Sequence, residues 1–169
     1  MKIGTRLFLI VVVVAAGIWI WTLVHPSPDR VIRKRLAEVA NAASFARGTG
    51  YFANVTGAER LAGFFATNAE VDIDMPGHSR QSLSGREDIL QTALGARATL
   101  KSLSVEFPDV TLVVNRDKES AIADLTAEGR VAGDSDMFIQ EMKFTLKKID
   151  GKWLITRVET VQTLQGGGG

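Results

Sequence analysis

The side chains with the clearest chemical capacity are two acidic pairs and a histidine. Asp72 and Asp74 stand two apart in VDIDM, a spacing that sets both carboxylates on one face of a strand. His78 comes next in MPGHSR, a segment with turn composition. Asp124 and Glu128 alternate with Ile122 and Thr126, so a strand there projects the two acids together. A carboxylate held in an apolar pocket acquires the raised pKa that suits a general base or acid. The candidate catalytic residues are therefore Asp74, His78 and Asp124. Each also has an ordinary reading, since strand carboxylates and turn histidines commonly face water.

Metal chemistry finds little footing. Asp72 with Asp74, and Asp134 with Asp136 in GDSD, offer oxygen ligands, but without the loop spacing or the ligand number of a calcium site. His25 and His78 are the two histidines and there is no cysteine, so a zinc centre is not expected, nor is any cofactor. Lys and Arg number 20 against 19 Asp and Glu, a net charge of +1, which provides no field for nucleic acid.

Two segments frame these residues. Between Leu7 and Val24 the chain reads LFLIVVVVAAGIWIWTLV, uncharged and, as a helix, about 27 Å long, enough to span a bilayer. Residues 1–25 are thus expected to form a membrane anchor, with Trp19 and Trp21 at a headgroup level. A cut after the small residues 15–17 would leave IWIWTLV at a new N-terminus, which argues against a cleaved signal peptide. Lys2 and Arg6 precede the span, as in a signal-anchor that exports the domain behind it. The expected location is the bacterial inner membrane, single-pass, with the domain periplasmic; the alternative is a cytoplasmic domain, which the count of cations flanking the span favours by itself. Arg30, Arg33, Lys34 and Arg35 come after the span and are candidates for contact with acidic lipid headgroups. Residues 26–164 form the domain, and 165–169 a flexible glycine tail.

Within the domain, Ser27-Pro28-Asp29 starts a helix that carries Ile32, Leu36, Val39 and Ala43 at helical spacing and reaches Gly48. Capping boxes at Thr56-Gly57-Ala58-Glu59 and Ser84-Gly85-Arg86-Glu87 open two more, the first carrying Leu61, Phe64 and Phe65. Alternating runs at 71–75, 79–83, 99–114, 120–130, 137–149 and 153–164 predict strands. Pro108 marks a bulge or bend in the third, and Asp150-Gly151 a tight hairpin. In the last run, period two sets Trp153, Ile155, Arg157, Glu159 and Val161 on one face, where Arg157 and Glu159 can pair.

Phe65-Ala66 before the first strand, Ser84-Gly85-Arg86-Glu87 at the third helix, and Asp150-Gly151-Lys152-Trp153 in the closing hairpin resemble the nuclear-transport-factor-2-like (NTF2-like) superfamily, with its SnoaL-like and ketosteroid-isomerase-like branches. The resemblance covers about residues 29–164. It implies an α+β, cystatin-like cone of three helices on a curved, mostly antiparallel sheet, with an apolar pocket at the open end. The isomerase branch uses a base on the first strand and a tyrosine on the first helix. Here Ile73 falls at the position of the base, beside Asp74, and the sole tyrosine, Tyr51, lies past the first helix.

Two functions are compatible with this plan. One is a non-catalytic accessory or assembly subunit that docks on a membrane protein complex, or forms a homo-oligomer, through the outer sheet face. In layout it resembles the tethered components of type IV secretion machines and the Mce-associated membrane proteins. The other is a SnoaL-like enzyme or binding protein for a small apolar ligand. Phe64, Phe65, Phe107, Met142, Phe144 and Trp153 are the candidate pocket residues, and the two functions divide on whether these close the cone.

Overall fold

The computed structural model describes Val12 and Val14, residues 27–46, Gly48, and residues 50–74, 80–133 and 137–161. The expected anchor, with Leu7, Trp19, Trp21 and Val24, lies outside these residues except for Val12 and Val14, which are helical and exposed. His25, His78, Asp134, Asp136 and the glycine tail also lie outside. Among the described residues no helix is long and apolar enough to cross a membrane.

Helix α1 spans Pro28–Ala43, with Pro28 in its first turn as the sequence predicts. It stops short of Gly48. Ser44 takes an extended conformation, donates its hydroxyl to the Ala40 carbonyl at 2.9 Å, and accepts from the Val105 amide at 2.9 Å. One side chain thus ends the helix and ties it to the sheet.

Helix α2 spans Tyr51–Ala62, so the expected cap at Thr56 is instead helix interior. The spacing of a capping box is also the spacing of one helical turn, which makes the pattern ambiguous. Gly63 closes α2 by donating its N–H to the Glu59 carbonyl at 2.9 Å, so Phe64 falls in a turn and Phe65 opens a strand rather than extending the helix. Helix α3 (Gly85–Thr99) starts where the sequence predicts, but its cap is made differently. The Ser84 amide is bound by Asp88 Oδ2 at 3.1 Å, and the Ser84 hydroxyl makes no cap bond.

The strands are β1 (Phe65–Ile73), β2 (Gln81–Ser84), β3 (Leu103–Glu106), β4 (Val110–Val114), β5 (Ser120–Val131), β6 (Met137–Ile149) and β7 (Lys152–Thr160). They form one mixed sheet in the order β2-β1-β7-β6-β5-β3, with β4 beside β5. Only β1 and β7 pair in parallel. Between the pairs Glu106↔Glu128 and Val110↔Leu125, residues 107–109 face residues 126 and 127, so the chain bulges at Pro108 as expected. Asp150 and Gly151 both have positive φ, as a tight β6–β7 turn requires.

Along β5 the inward positions are Ala121, Ala123, Leu125 and Ala127, mostly small, and this lets a helix approach the sheet closely. Ile32, Leu36 and Val39 of α1 join them in one core with Leu146 and Ile155; Ile32 and Ile155 are wholly buried. A bulge at Thr156 then changes the facing of β7. Leu146 pairs with Ile155 and Thr145 with Arg157, leaving Thr156 unpaired, its hydroxyl donating to the Thr145 carbonyl at 3.2 Å. Trp153, Ile155 and Val158 are therefore the buried residues of β7, whereas simple alternation groups Trp153 and Ile155 with Arg157.

Candidate functional site

The interior of the cone is occupied by the chain's own side chains. Of the six candidate pocket residues, Phe64, Phe65, Phe144 and Trp153 are buried, and Phe107 and Met142 are half-buried against the same core. The Phe107 and Phe144 rings meet edge to face with centroids 5.8 Å apart. Ile73 also packs on this core. Tyr51 opens α2 and is 78% exposed, far too open to act as a donor inside a pocket.

The acids of β1 collect on the opposite, outer face. Arg157 of β7 donates through Nη1 to Glu70 at 2.8 Å and through Nε to Glu159 at 2.8 Å, with Asp72 3.6 Å from its Nη2. The hydrogen bond and charge of Glu159, helped by Glu70 and Asp72, hold the guanidinium above its ordinary pKa. Arg80 reaches Asp72 at 3.9 Å, and Lys143 reaches Glu159 at 4.0 Å. Asp124 stands opposite Lys143 across β5 and β6. A belt of alternating charge thus crosses the sheet from β5 to β2, and the expected pairing of Arg157 with Glu159 is its centre. Asp74 lines a hollow of about 270 Å³ beside this belt, together with Asp72, Arg80, Arg157, Glu159 and Thr160. Its amide is held by the Thr160 hydroxyl at 3.1 Å. A second hollow, about 340 Å³, is lined by Asp109, Asp124 and Glu141 together with the core residue Leu125 and with Met142. Asp74 and Asp124 therefore line separate hollows, and that of Asp124 reaches the edge of the apolar core. Among the described residues no cluster of metal-ligating side chains occurs.

The four basic candidates of α1 divide in two. Arg33 donates to Asp29 at 3.0 Å and to the Val110 carbonyl at 2.8 Å. Arg35 donates to the Trp153 carbonyl at 3.1 Å and lies 4.6 Å over the Phe64 ring. Both fasten α1 to the sheet. Arg30 and Lys34 are exposed and make no ion pair among the described residues.

Two features escaped sequence reasoning. Arg97 of α3 is buried, donates to the Ala42 carbonyl at the end of α1, lies 4.9 Å over Phe45, and packs against Gly57 of α2. Desolvation pulls its pKa below the ordinary value. Only the absence of a side chain at Gly57 hints at this clamp. The second is an apolar rim, with Tyr51 and Phe52 at the start of α2 and Met137, Phe138 and Ile139 at the start of β6 all exposed. The bridge from Phe45 to Leu103 and the pairing of Leu103 with Val131 bring these segments to one end of the molecule. Three consecutive large apolar residues beside a polar loop were the available signal.

No family model matches the chain, and no curated protein matches it. Among solved structures it is similar to an NTF2-like protein with a cystatin-like fold from Novosphingobium aromaticivorans, at 16% identity and a TM-score of 0.62 over 90% of this chain and 89% of that one. A candidate scytalone dehydratase from the same organism gives 19% identity and a TM-score of 0.55 over 80% and 83%. Rv3472 of Mycobacterium tuberculosis, of unknown function, gives 17% and 0.60 over 88% and 75%. The chain has the cystatin-like, NTF2-like fold.

Proposed function

We propose that this chain is a non-catalytic, membrane-tethered NTF2-like subunit that docks on a membrane protein complex. The observation that supports the reading is the aromatic core: Phe64, Phe65, Phe144 and Trp153 are buried in the domain interior, and Ile73, where the resemblance implies a base, packs against them. Residues 1–25 supply the tether, placing the domain on the periplasmic side of the inner membrane. Around Arg157 the outer sheet face pairs its own charges, so the exposed Ile139 on that face and Phe138 on the other, at the start of β6, are the stronger contact for a protein partner, with the belt as a polar flank. Alkaline extraction of membranes and protease access from the periplasm test the tether and its direction. Phe138→Ser with Ile139→Ser tests the docking surface and should abolish co-purification of the partner while leaving the domain folded. Retention of the partner by that variant would reject the rim. The alternative, a small-ligand enzyme, draws support from the neighbour named as a candidate dehydratase, and requires the aromatic core to open.

A further inference from the structure

We infer that the end of the cone where α1 begins is a basic plate that rests on anionic lipid headgroups, an inference that rests on the tethered reading. Three segments distant in sequence meet at this end. Arg35, midway along α1, binds the Trp153 carbonyl just after the β6–β7 turn, and Ser44 at the other end of the helix is bound to Val105 at the far end of the sheet, so α1 followed back toward Pro28 runs toward the β6–β7 turn. The Lys148 amide donates to the Glu119 carbonyl at 2.7 Å, which joins the β4–β5 turn to the β6–β7 turn.

Each segment contributes exposed cations: Arg30 and Lys34 from α1, Arg116 and Lys118 from one turn, Lys148 and Lys152 from the other. None of these six forms an ion pair among the described residues. The carboxylates nearby compete weakly. Asp29 is paired with Arg33, and Asp117, although bound by the Glu119 and Ser120 amides of its own turn, keeps its charge, so the six cations face three carboxylates, Asp117, Glu119 and Asp150. Six exposed cations without an ion pair among the described residues thus gather at one pole, although the chain's net charge is only +1.

The covalent layout directs that pole at a bilayer. Two residues separate Val24, the last of the apolar run, from Ser27, where the fold begins. Even fully extended, that connection spans roughly 10 Å, which is about one Debye length at 0.1 M salt. Cations held that close to acidic headgroups are attracted to them, and the chemistry recognised is the lipid phosphate.

The test uses the full chain in nanodiscs of phosphatidylcholine with or without phosphatidylglycerol. Acylation by an amine reagent is read by mass at each lysine. With the anionic lipid, Lys34, Lys118, Lys148 and Lys152 should label about threefold more slowly or less, and recover near 1 M salt, where the screening length is about 3 Å. Lys101, next to the opposite pole, and Lys143, on the outer face, should not change. The combined variant Lys118→Gln, Lys148→Gln, Lys152→Gln, in exposed turns, should restore labelling at Lys34. Equal labelling in the two lipids overturns the plate while leaving the tether intact. A chain that fails to enter neutral discs, yet sediments with phosphatidylglycerol vesicles and shows the same protection, removes the tether and retains the plate. Neither insertion nor protection removes both.

Discussion

Phe144→Ala is the most informative single perturbation of the interior. Phe144 is 4% exposed, stands between Ala123 and Val158 in the register, and meets Phe107 edge to face. Truncating a buried phenylalanine costs about 3–5 kcal/mol where the surroundings cannot collapse, of which the aromatic pair accounts for about 0.5–1.5 kcal/mol. With a urea slope of about 1.5 kcal/mol per molar, the midpoint should fall by roughly 2–3 M. Urea titration followed by circular dichroism measures this. The variant also acquires a dry cavity, so a benzene-sized probe should raise its midpoint while leaving the parent unchanged. A loss under about 1 kcal/mol, or a parent already stabilised by the probe, would mean that the cone is open and that the filled-core argument fails.

The same geometry sets three other expectations. Gly57→Ala would set a methyl group 2.7 Å from Arg97 Nη1, so the guanidinium must shift; strain on its bond to the Ala42 carbonyl opposes the roughly 1 kcal/mol that alanine gains over glycine inside a helix, so thermal melts should register little net change, and the same substitution made together with Arg97→Ala should be stabilising. Arg157→Gln removes the centre of an exposed belt and should leave the urea midpoint nearly unchanged, so a large fall in that midpoint would show that the belt is structural. The Glu119 amide, the Ser120 hydroxyl and the Ser120 amide hold the Asp117 carboxyl below its ordinary pKa. A depressed folded pKa means the β4–β5 turn has its full support above the unfolded value and loses it as pH falls through the folded one. The carbonyl resonance of Asp117 should titrate below the free-aspartate range, and Asp117→Asn should flatten that dependence.

The reach of the sequence is clearest where local chemistry decides. Pro108 lacks a donor and bulges the strand, Asp150-Gly151 takes positive φ, and Ile32, Leu36 and Val39 share a face. It falls short where a pattern serves two purposes. Thr56-x-x-Glu59 reads as a cap and sits inside a helix, because the spacing of a capping box is also that of one helical turn. Phe64 and Phe65 continue the helical spacing of Leu61, yet Gly63 ends the helix. Alternation along β7 breaks at Thr156, a residue with no mark of a bulge. Arg33 and Arg35 look like surface charge, and only the tertiary structure supplies the carbonyls they bind. For the candidate site, even spacing correctly joins Asp72 to Asp74, but it carries no information about which face of the sheet meets the helices.

Native mass spectrometry of the full chain, purified from its own membranes in mild detergent, tests the central claim most directly. The account predicts a stoichiometric assembly with another membrane protein and a domain whose mass includes no small molecule. A monomer carrying an apolar compound inside the cone would contradict it.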